Sequence, residues 1–187
     1  MRWVRKAFGS AANESVPGWL ASIILVAMKG MMIAVWFMSS LLGQDWGPAQ
    51  FLVGNWAGEG GGQPGQGAGA FSFSPDLQGK ILVRKSFAEY PPANGRPAFR
   101  HDDLMIVYRD ETTRTLRATY FDSEEHVIQY AVRPAEGGVV FVSEGAPSSP
   151  RFRMTFTSTG KDTLKIKFEI AAPGKEFAPY LEAAAHR

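Results

Sequence analysis

The chain is predicted to fold as an all-β protein, a ten-stranded antiparallel up-and-down barrel preceded by an N-terminal apolar helix. Three observations predict this fold: ten short segments with strand character follow residue 50, turn-forming residues separate them, and no long helical pattern interrupts them. Ten strands in an open sheet would leave two unpaired edges, which closure into a barrel removes. A barrel of this strand number encloses a cavity that side chains alone do not fill.

The first element is a basic and apolar leader, which we assign to residues 1–43. Its apolar stretch, broken by Lys29, is long enough to cross a bilayer as a helix, which takes about 20 residues. Alternatively, the segment from Met28 to Gly43 has the basic start, apolar core and small final residue of a signal peptide, and translation then begins at Met28. Both interpretations, a cleaved signal peptide and an uncleaved membrane anchor, place a barrel domain at 44–187 outside the cytoplasm, either periplasmic or secreted.

The ten predicted strands alternate between apolar and polar residues. In the ninth, Leu164, Ile166 and Phe168 share one face, and Lys165 and Lys167 share the other. Gly, Pro, Asn and Asp cluster in the breaks between strands, as turns require. The predicted strands are 50–58, 70–75, 80–90, 102–109, 115–122, 126–133, 138–143, 151–157, 163–170 and 178–186.

The first strand carries a Gly-x-Trp-x-Gly motif at Gly54, Trp56 and Gly58, and a glycine-rich connection follows it. Residues 60–65 in that connection match the pattern G-x-G-x-x-G. A dinucleotide site needs this pattern between a strand and a helix, but here Pro64 interrupts it and a strand follows. We therefore interpret the segment as a connection between two strands rather than as a phosphate-binding loop.

Composition and charge exclude several functional classes. The 187 residues contain no cysteine, which excludes a disulfide framework, a thiolate metal site, a cysteine nucleophile and a lipid-anchored cysteine. The net charge is +2, and the leader carries +3 of it, so the barrel domain carries −1 and offers no basic surface for nucleic acid. Ser143 and Ser148 lack a nucleophile elbow and an adjacent base, so the sequence does not favour an enzyme.

Polar side chains that face the barrel interior are the best candidates for ligand binding, because ligand cavities are mostly apolar with a few placed polar groups. Four tyrosines and one histidine share strand faces with apolar residues. Equally, the tyrosine rings could pack in the core with their hydroxyls at the rim. The predicted ligand-binding residues are Tyr108, Tyr120, His126, Tyr130 and Tyr180.

Two clusters of acidic residues with a histidine lie at 101–103 and 122–126. Together they hold two histidines and five carboxylates, which could bind a divalent metal or form a general acid–base pair. Their spacing does not bring the ligands onto one face of a strand or helix. We interpret both clusters as solvated turns and predict no metal site.

The Gly-x-Trp-x-Gly motif at the head of ten strands resembles that of the calycin-type barrels, in particular the nitrobindin-like branch and its uncharacterised exported relatives. The resemblance implies that Trp56 closes one end of the barrel. It also implies that a cation from the final strand, Arg187 or His186, covers the indole ring. Gly54, Trp56, Gly58 and Arg187 are therefore expected to be structural residues.

The resemblance extends to the last strand, where nitrobindin-like barrels place the histidine that ligates haem in a His-Leu pair. This chain has Tyr180-Leu181 at that place. The resemblance thus implies ferric haem and peroxynitrite isomerisation, with Tyr180, or alternatively His186, as the axial ligand. Tyrosine is a known haem ligand in other proteins.

From these observations we expect an exported β-barrel that binds a small hydrophobic or amphipathic ligand without a cofactor. One alternative is a haem-binding, nitrobindin-like peroxynitrite isomerase. Another is a membrane-tethered structural domain of the cell envelope without a ligand. The expected partners are the small molecule and, if the leader is uncleaved, the membrane through the N-terminal segment.

Overall fold

The computed structural model describes residues 45–59, 68–92, 95 and 97–187. Ten antiparallel strands in these residues form one closed barrel, in which each strand pairs with its neighbours in sequence and the last pairs with the first. The elements are a 3-10 helix, Gly47–Leu52, and the strands β1 Gly54–Glu59, β2 Ala68–Asp76, β3 Ile81–Tyr90, β4 Phe99–Arg109, β5 Leu116–Asp122, β6 Val127–Ala135, β7 Gly138–Glu144, β8 Arg151–Gly160, β9 Thr163–Ala171 and β10 Ala178–His186.

The prediction of an all-β, ten-stranded antiparallel up-and-down barrel is confirmed. The leader and its predicted apolar helix lie outside the described residues. Within the described ranges, no helix is both long and apolar enough to cross a membrane.

The start of the first predicted strand is wrong, because its first three residues belong to the 3-10 helix. Trp46, Ala49 and Leu52 recur at the three-residue period of such a helix, and each is at most 1% exposed. Pro48 fits the first turn, where no backbone donor is needed. The helix packs against β6 and β7 and covers one end of the barrel, which we call the helix end. The opposite end, where β6, β8 and β10 begin, is the far end.

Aromatic rings fill the interior next to the helix end. Phe71, Phe73, Phe141 and Phe156 contact one another with ring centroids 5.9–6.1 Å apart, mostly edge to face. This arrangement is favoured by the charge distribution of aromatic rings. The helix end is therefore a packed core, and the polar interior groups lie towards the far end.

Trp56 joins the 3-10 helix to the barrel wall. Its indole Nε1 donates a hydrogen bond to the carbonyl of Leu52 at 2.8 Å, and the residue is 3% exposed. The guanidinium carbon of Arg187 lies 4.4 Å from the Trp56 ring centroid, within the range of a cation–π contact. The same guanidinium donates to the carbonyls of Phe51 at 2.7 Å and Val53 at 3.0 Å. Arg187 thus contacts the 3-10 helix, the residue before β1 and the indole ring of Trp56.

Two glycines of the Gly-x-Trp-x-Gly motif lie where a side chain would not fit easily. Gly54 has a φ of +137°, which strains any other residue, and a Cβ there would lie 3.4 Å from Nε of Arg187. A Cβ on Gly58 would lie 3.3 Å from the carbonyl oxygen of Gly69 on β2. Glycine at these two positions therefore lets β1 lie close to the side chain of Arg187 and to the backbone of β2.

Candidate functional site

A buried ion pair lies in the barrel interior. Arg84 on β3 and Asp103 on β4 form it, and their side chains are only 9% and 8% exposed. Nη2 of Arg84 also donates to Oγ of Ser86 at 3.0 Å. The guanidinium carbon lies 5.4 Å from the ring centroid of Phe71. Arg84 faces inward because it alternates with Leu82, which is fully buried.

One donor of this arginine has no partner. Among the described residues, Nε of Arg84 is the one buried side-chain nitrogen or oxygen that makes no hydrogen bond. Leaving a buried donor unsatisfied costs about 1–3 kcal/mol, so native proteins seldom retain one without a reason. The unpaired Nε–H is therefore the polar group of the described interior that most needs an acceptor.

Two tyrosines lie near the ion pair, Tyr130 buried and Tyr120 partly buried. Tyr120 on β5 and Tyr130 on β6 make an edge-to-face contact with centroids 6.5 Å apart. Burial raises the pKa of the Tyr120 hydroxyl, and the negative charges of Asp103 and Asp122 raise it further. Burial likewise raises the pKa of Tyr130. Both hydroxyls consequently stay protonated at any physiological pH.

A chain of hydrogen bonds connects Tyr120 to the protein surface. The Tyr120 hydroxyl lies 3.1 Å from Nε2 of His101, and Nδ1 of His101 lies 3.1 Å from Oε1 of Glu124. The side chain of His101 is 23% exposed and that of Glu124 is 48% exposed. The chain thus runs from the β5–β6 turn at the far end into the polar interior.

Aromatic side chains form a wall at the far end. The rings of Phe152 and Phe168 are stacked with centroids 6.1 Å apart, and Tyr180 packs edge to face on Phe168 at 6.0 Å. The pairing of β10 with β9 shifts by one residue between Pro179 and Leu181, which places Tyr180 in a bulge. Tyr180 is 53% exposed and therefore lies at the rim rather than in the interior.

The aromatic wall and the hydrogen-bond chain share the same end of the barrel. Burial raises the pKa of Tyr90 on β3, and the proximity of Tyr180 and Glu124 raises it further. Tyr90 also stacks on Phe99 of β4 with centroids 6.1 Å apart. The far end therefore combines apolar ring surface with polar groups that lead inward.

Tyr108 does not face the interior, contrary to prediction. Met105 and Val107 are the fully buried residues of β4, and Tyr108 alternates with them and lies on the outer face. The prediction was wrong because Leu104 and Ile106 are as apolar as their neighbours, so the strand has no clear polar face.

The inward direction predicted for His126 is also wrong. His126 precedes the first residue of β6, and its side chain is 59% exposed. Its Nδ1 lies 2.9 Å from Oδ2 of Asp122, and its backbone amide donates to Oδ1 of the same residue. The carboxylate holds His126 in the turn, away from the interior.

The first acidic cluster is not a solvated turn, because β4 begins at Phe99 and includes it. His101 and Asp103 face the interior, and Asp102 faces outward, where it pairs with Arg100. No group of three or more metal-binding side chains occurs in the part of the chain that the structure describes.

A groove of about 660 Å³ lies on the outer surface of the barrel across β1 to β4. Its floor is made of small side chains such as Ala57, Ala70 and Ser72, and Lys85 and Arg100 stand beside it. The groove is open to solvent and includes neither the buried ion pair nor any tyrosine. We therefore place the candidate site in the interior, where the unpaired and desolvated polar groups are.

The closed ten-stranded antiparallel barrel is consistent with a calycin-like barrel. A comparison with protein-family models finds none that matches the chain, and a comparison with curated protein sequences finds no significant match.

Proposed function

We propose that the barrel binds a small amphipathic molecule through a polar group that accepts a hydrogen bond from Nε of Arg84. The unpaired, buried Nε–H carries this proposal. Because Asp103 already neutralises the guanidinium, the site does not demand a net negative charge. An oxygen acceptor such as a carbonyl group is sufficient to satisfy the free donor.

The surroundings of Arg84 support the same proposal. Tyr120 and Tyr130 add two hydroxyls that burial keeps protonated. Phe152 and Phe168 offer a flat apolar surface for the rest of the molecule. A few converging polar groups within an aromatic and apolar lining are typical of small-molecule sites.

We also propose that the barrel works outside the cytoplasm as a binding protein without a reaction of its own. The basic and apolar leader at residues 1–43 supports export. The near-neutral charge of the domain gives no support to a nucleic-acid partner. The Gly-x-Trp-x-Gly motif is the observation that supports a nitrobindin-like relationship in this proposal.

The Tyr130→Phe variant is expected to bind a dansyl-labelled undecanoic acid more weakly than the natural protein. One lost neutral hydrogen bond corresponds to a roughly three- to tenfold rise in Kd. Tyr108→Phe is the matched control, because Tyr108 lies on the outer face and its Kd is expected to stay unchanged. Fluorescence titration of the purified variants measures both values. A lack of saturable binding to the natural protein would contradict the proposal and favour a structural domain without a ligand.

Haem is the cofactor that the nitrobindin resemblance implies, and the residues present do not fit it. Tyr180, the predicted axial ligand, lies at the rim and is more than half exposed. The alternative ligand, His186, ends β10 at the helix end and is exposed.

Titration with haemin is therefore expected to give no Soret band that depends on Tyr180. Absorption spectra of the natural protein and of Tyr180→Phe, recorded at increasing haemin ratios, are expected to be the same. A Soret band that is present in the natural protein and lost in the variant would instead establish the haem alternative.

A further inference from the structure

We propose that protonation of His101 switches the Tyr120 hydroxyl from a hydrogen-bond acceptor to a donor towards the barrel interior. The polar group that the site prefers would then depend on pH. This inference rests on the proposed ligand site, and it names a regulation and a specificity-determining pair within that site. It is carried by the two hydrogen bonds that connect Glu124, His101 and Tyr120.

The neutral state follows from the partners of the imidazole ring. An ionised carboxylate only accepts hydrogen bonds, so Nδ1 of His101 must carry the proton that Glu124 accepts. In the neutral ring Nε2 then has no proton and accepts one from the Tyr120 hydroxyl. The single proton of Tyr120 is thereby directed at His101, and towards the interior Tyr120 presents only lone pairs.

The protonated state reverses this direction. Both ring nitrogens of an imidazolium carry protons, so Nε2 of His101 donates to the oxygen of Tyr120. The Tyr120 proton is released from its former acceptor and is free to turn towards the interior. Tyr120 itself remains a phenol in both states, since burial and the nearby carboxylates raise its pKa. One proton taken up at the rim therefore adds one donor inside the barrel.

The charged and titratable groups that act electrostatically on this chain or its partners come from β3, β4, β5, β6 and the β5–β6 turn. They are Arg84, Tyr90, Asp102, Asp103, Asp122, His126 and Tyr130. Most of the charged ones have partners of their own: Arg84 pairs with Asp103, Asp102 with Arg100, and Asp122 with His126. His101 itself contacts both the exposed carboxylate of Glu124 and the hydroxyl of Tyr120.

The switch predicts a difference between ligands that only accept hydrogen bonds and ligands that can also donate them. A ketone oxygen gains a hydrogen bond from Tyr120 only when His101 is protonated. An alcohol of the same skeleton can donate to Tyr120 in the neutral state and accept from it in the protonated state. The affinity of the ketone should therefore rise at low pH, and that of the alcohol should stay nearly constant.

The test uses 2-decanone and 2-decanol, with Kd values measured by isothermal titration calorimetry at pH 5.5 and pH 8. These two pH values lie on either side of the range in which histidine ordinarily titrates. We expect 2-decanone to bind roughly three- to tenfold more tightly at pH 5.5, the equivalent of one neutral hydrogen bond, and 2-decanol to change by less than about twofold.

His101→Gln and Tyr120→Phe are both expected to abolish the pH dependence for the ketone while circular dichroism shows the barrel intact. His186→Gln is the matched control, because this histidine lies at the helix end, and the dependence is expected to persist in it. A pH-independent Kd for the ketone in the natural protein, or an unchanged dependence in His101→Gln, would overturn the switch. Absence of binding by either compound at either pH would overturn the ligand site itself, and the switch with it.

Discussion

Arg84→Met is expected to lower the free energy of unfolding by about 3–5 kcal/mol, because it leaves a charged Asp103 in the barrel interior without its partner. The two side chains are 9% and 8% exposed, so water cannot replace the guanidinium as it would at the surface. Methionine has a similar length and apolar stem, and the loss therefore reports the missing charge rather than a cavity. Urea unfolding followed by circular dichroism measures the change.

The double variant Arg84→Met with Asp103→Leu separates stability from function. Removing both charges of a buried pair is often neutral or stabilising, so we expect its unfolding free energy to return to within about 1 kcal/mol of the natural protein. Its affinity for the dansyl probe should nevertheless be lost, because Nε of Arg84 is no longer there. Such a variant would be stable and inactive in binding.

Two results would contradict this account of the ion pair. A fall of less than about 1 kcal/mol in the unfolding free energy of Arg84→Met would mean that the pair behaves like an exposed ion pair. Full probe affinity in the double variant would mean that the ligand site lies elsewhere, for example in the groove on the outer surface.

The strands could be predicted from the sequence because alternation is a local signal. Leu164 and Ile166 are apolar and Lys165 and Lys167 are charged, which is enough to place β9 without knowledge of its neighbours. Turn-forming residues end most strands close to where the structure ends them. The 3-10 helix was missed although its signal was present: Trp46, Ala49 and Leu52 recur every third residue, a period that differs from that of a strand.

The candidate site could be predicted only in part, because the inward face of a strand depends on its partners. Arg84 and Lys85 are adjacent, so one of two cations in β3 has to face inward, and the sequence does not say which. The register of β3 with β4, which sets Ser86 opposite Asp103, decides the matter. Tyr120 and Tyr130 were identified as candidates because their strands have one clearly apolar face, which β4 lacks.

The bulge in β10 is a second feature that the sequence alone does not predict. Continuous alternation along 178–186 would give Tyr180 the same direction as Ala178, as the sequence suggests. The register shift between Pro179 and Leu181 breaks this alternation and sets the ring on the rim of the barrel. A bulge depends on how two strands pair, and no residue of β10 by itself predicts it.

The outer face holds a second buried charge, Glu169 on β9, beside the connection from β9 to β10. It is 3% exposed and accepts hydrogen bonds from Nε and Nη2 of Arg153 at 2.6 and 2.8 Å, and Lys167 lies 3.0 Å away. The guanidinium of Arg153 in turn covers the ring of Phe177 at 4.3 Å, and Arg151 donates to the carbonyl of Lys175 at 2.8 Å. These contacts tie the connection that precedes Tyr180 to the barrel wall.

Glu169→Gln is expected to remove a large contribution to the acid sensitivity of the fold. Hydrogen bonds from Arg153 lower the pKa of Glu169 from 4.5 to about 2, and the nearby Lys167 lowers it as well. Because the pKa in the folded state lies below that in the unfolded state, the stabilisation is fully present above about pH 4.5. It is lost as the pH falls towards 2. The full stabilisation from this lowered pKa is at most about 3 kcal/mol.

The measurement compares the unfolding free energies of the natural protein and of Glu169→Gln between pH 7 and pH 2. We expect a difference of about 2–3 kcal/mol at pH 7 that shrinks towards zero at the acid end, because protonation makes the two side chains alike in charge. Glu111→Gln, a change at an exposed position of the β4–β5 turn, should stay within about 0.5 kcal/mol of the natural protein throughout. A difference that is constant with pH would show that the carboxylate stabilises the connection through its shape rather than its charge.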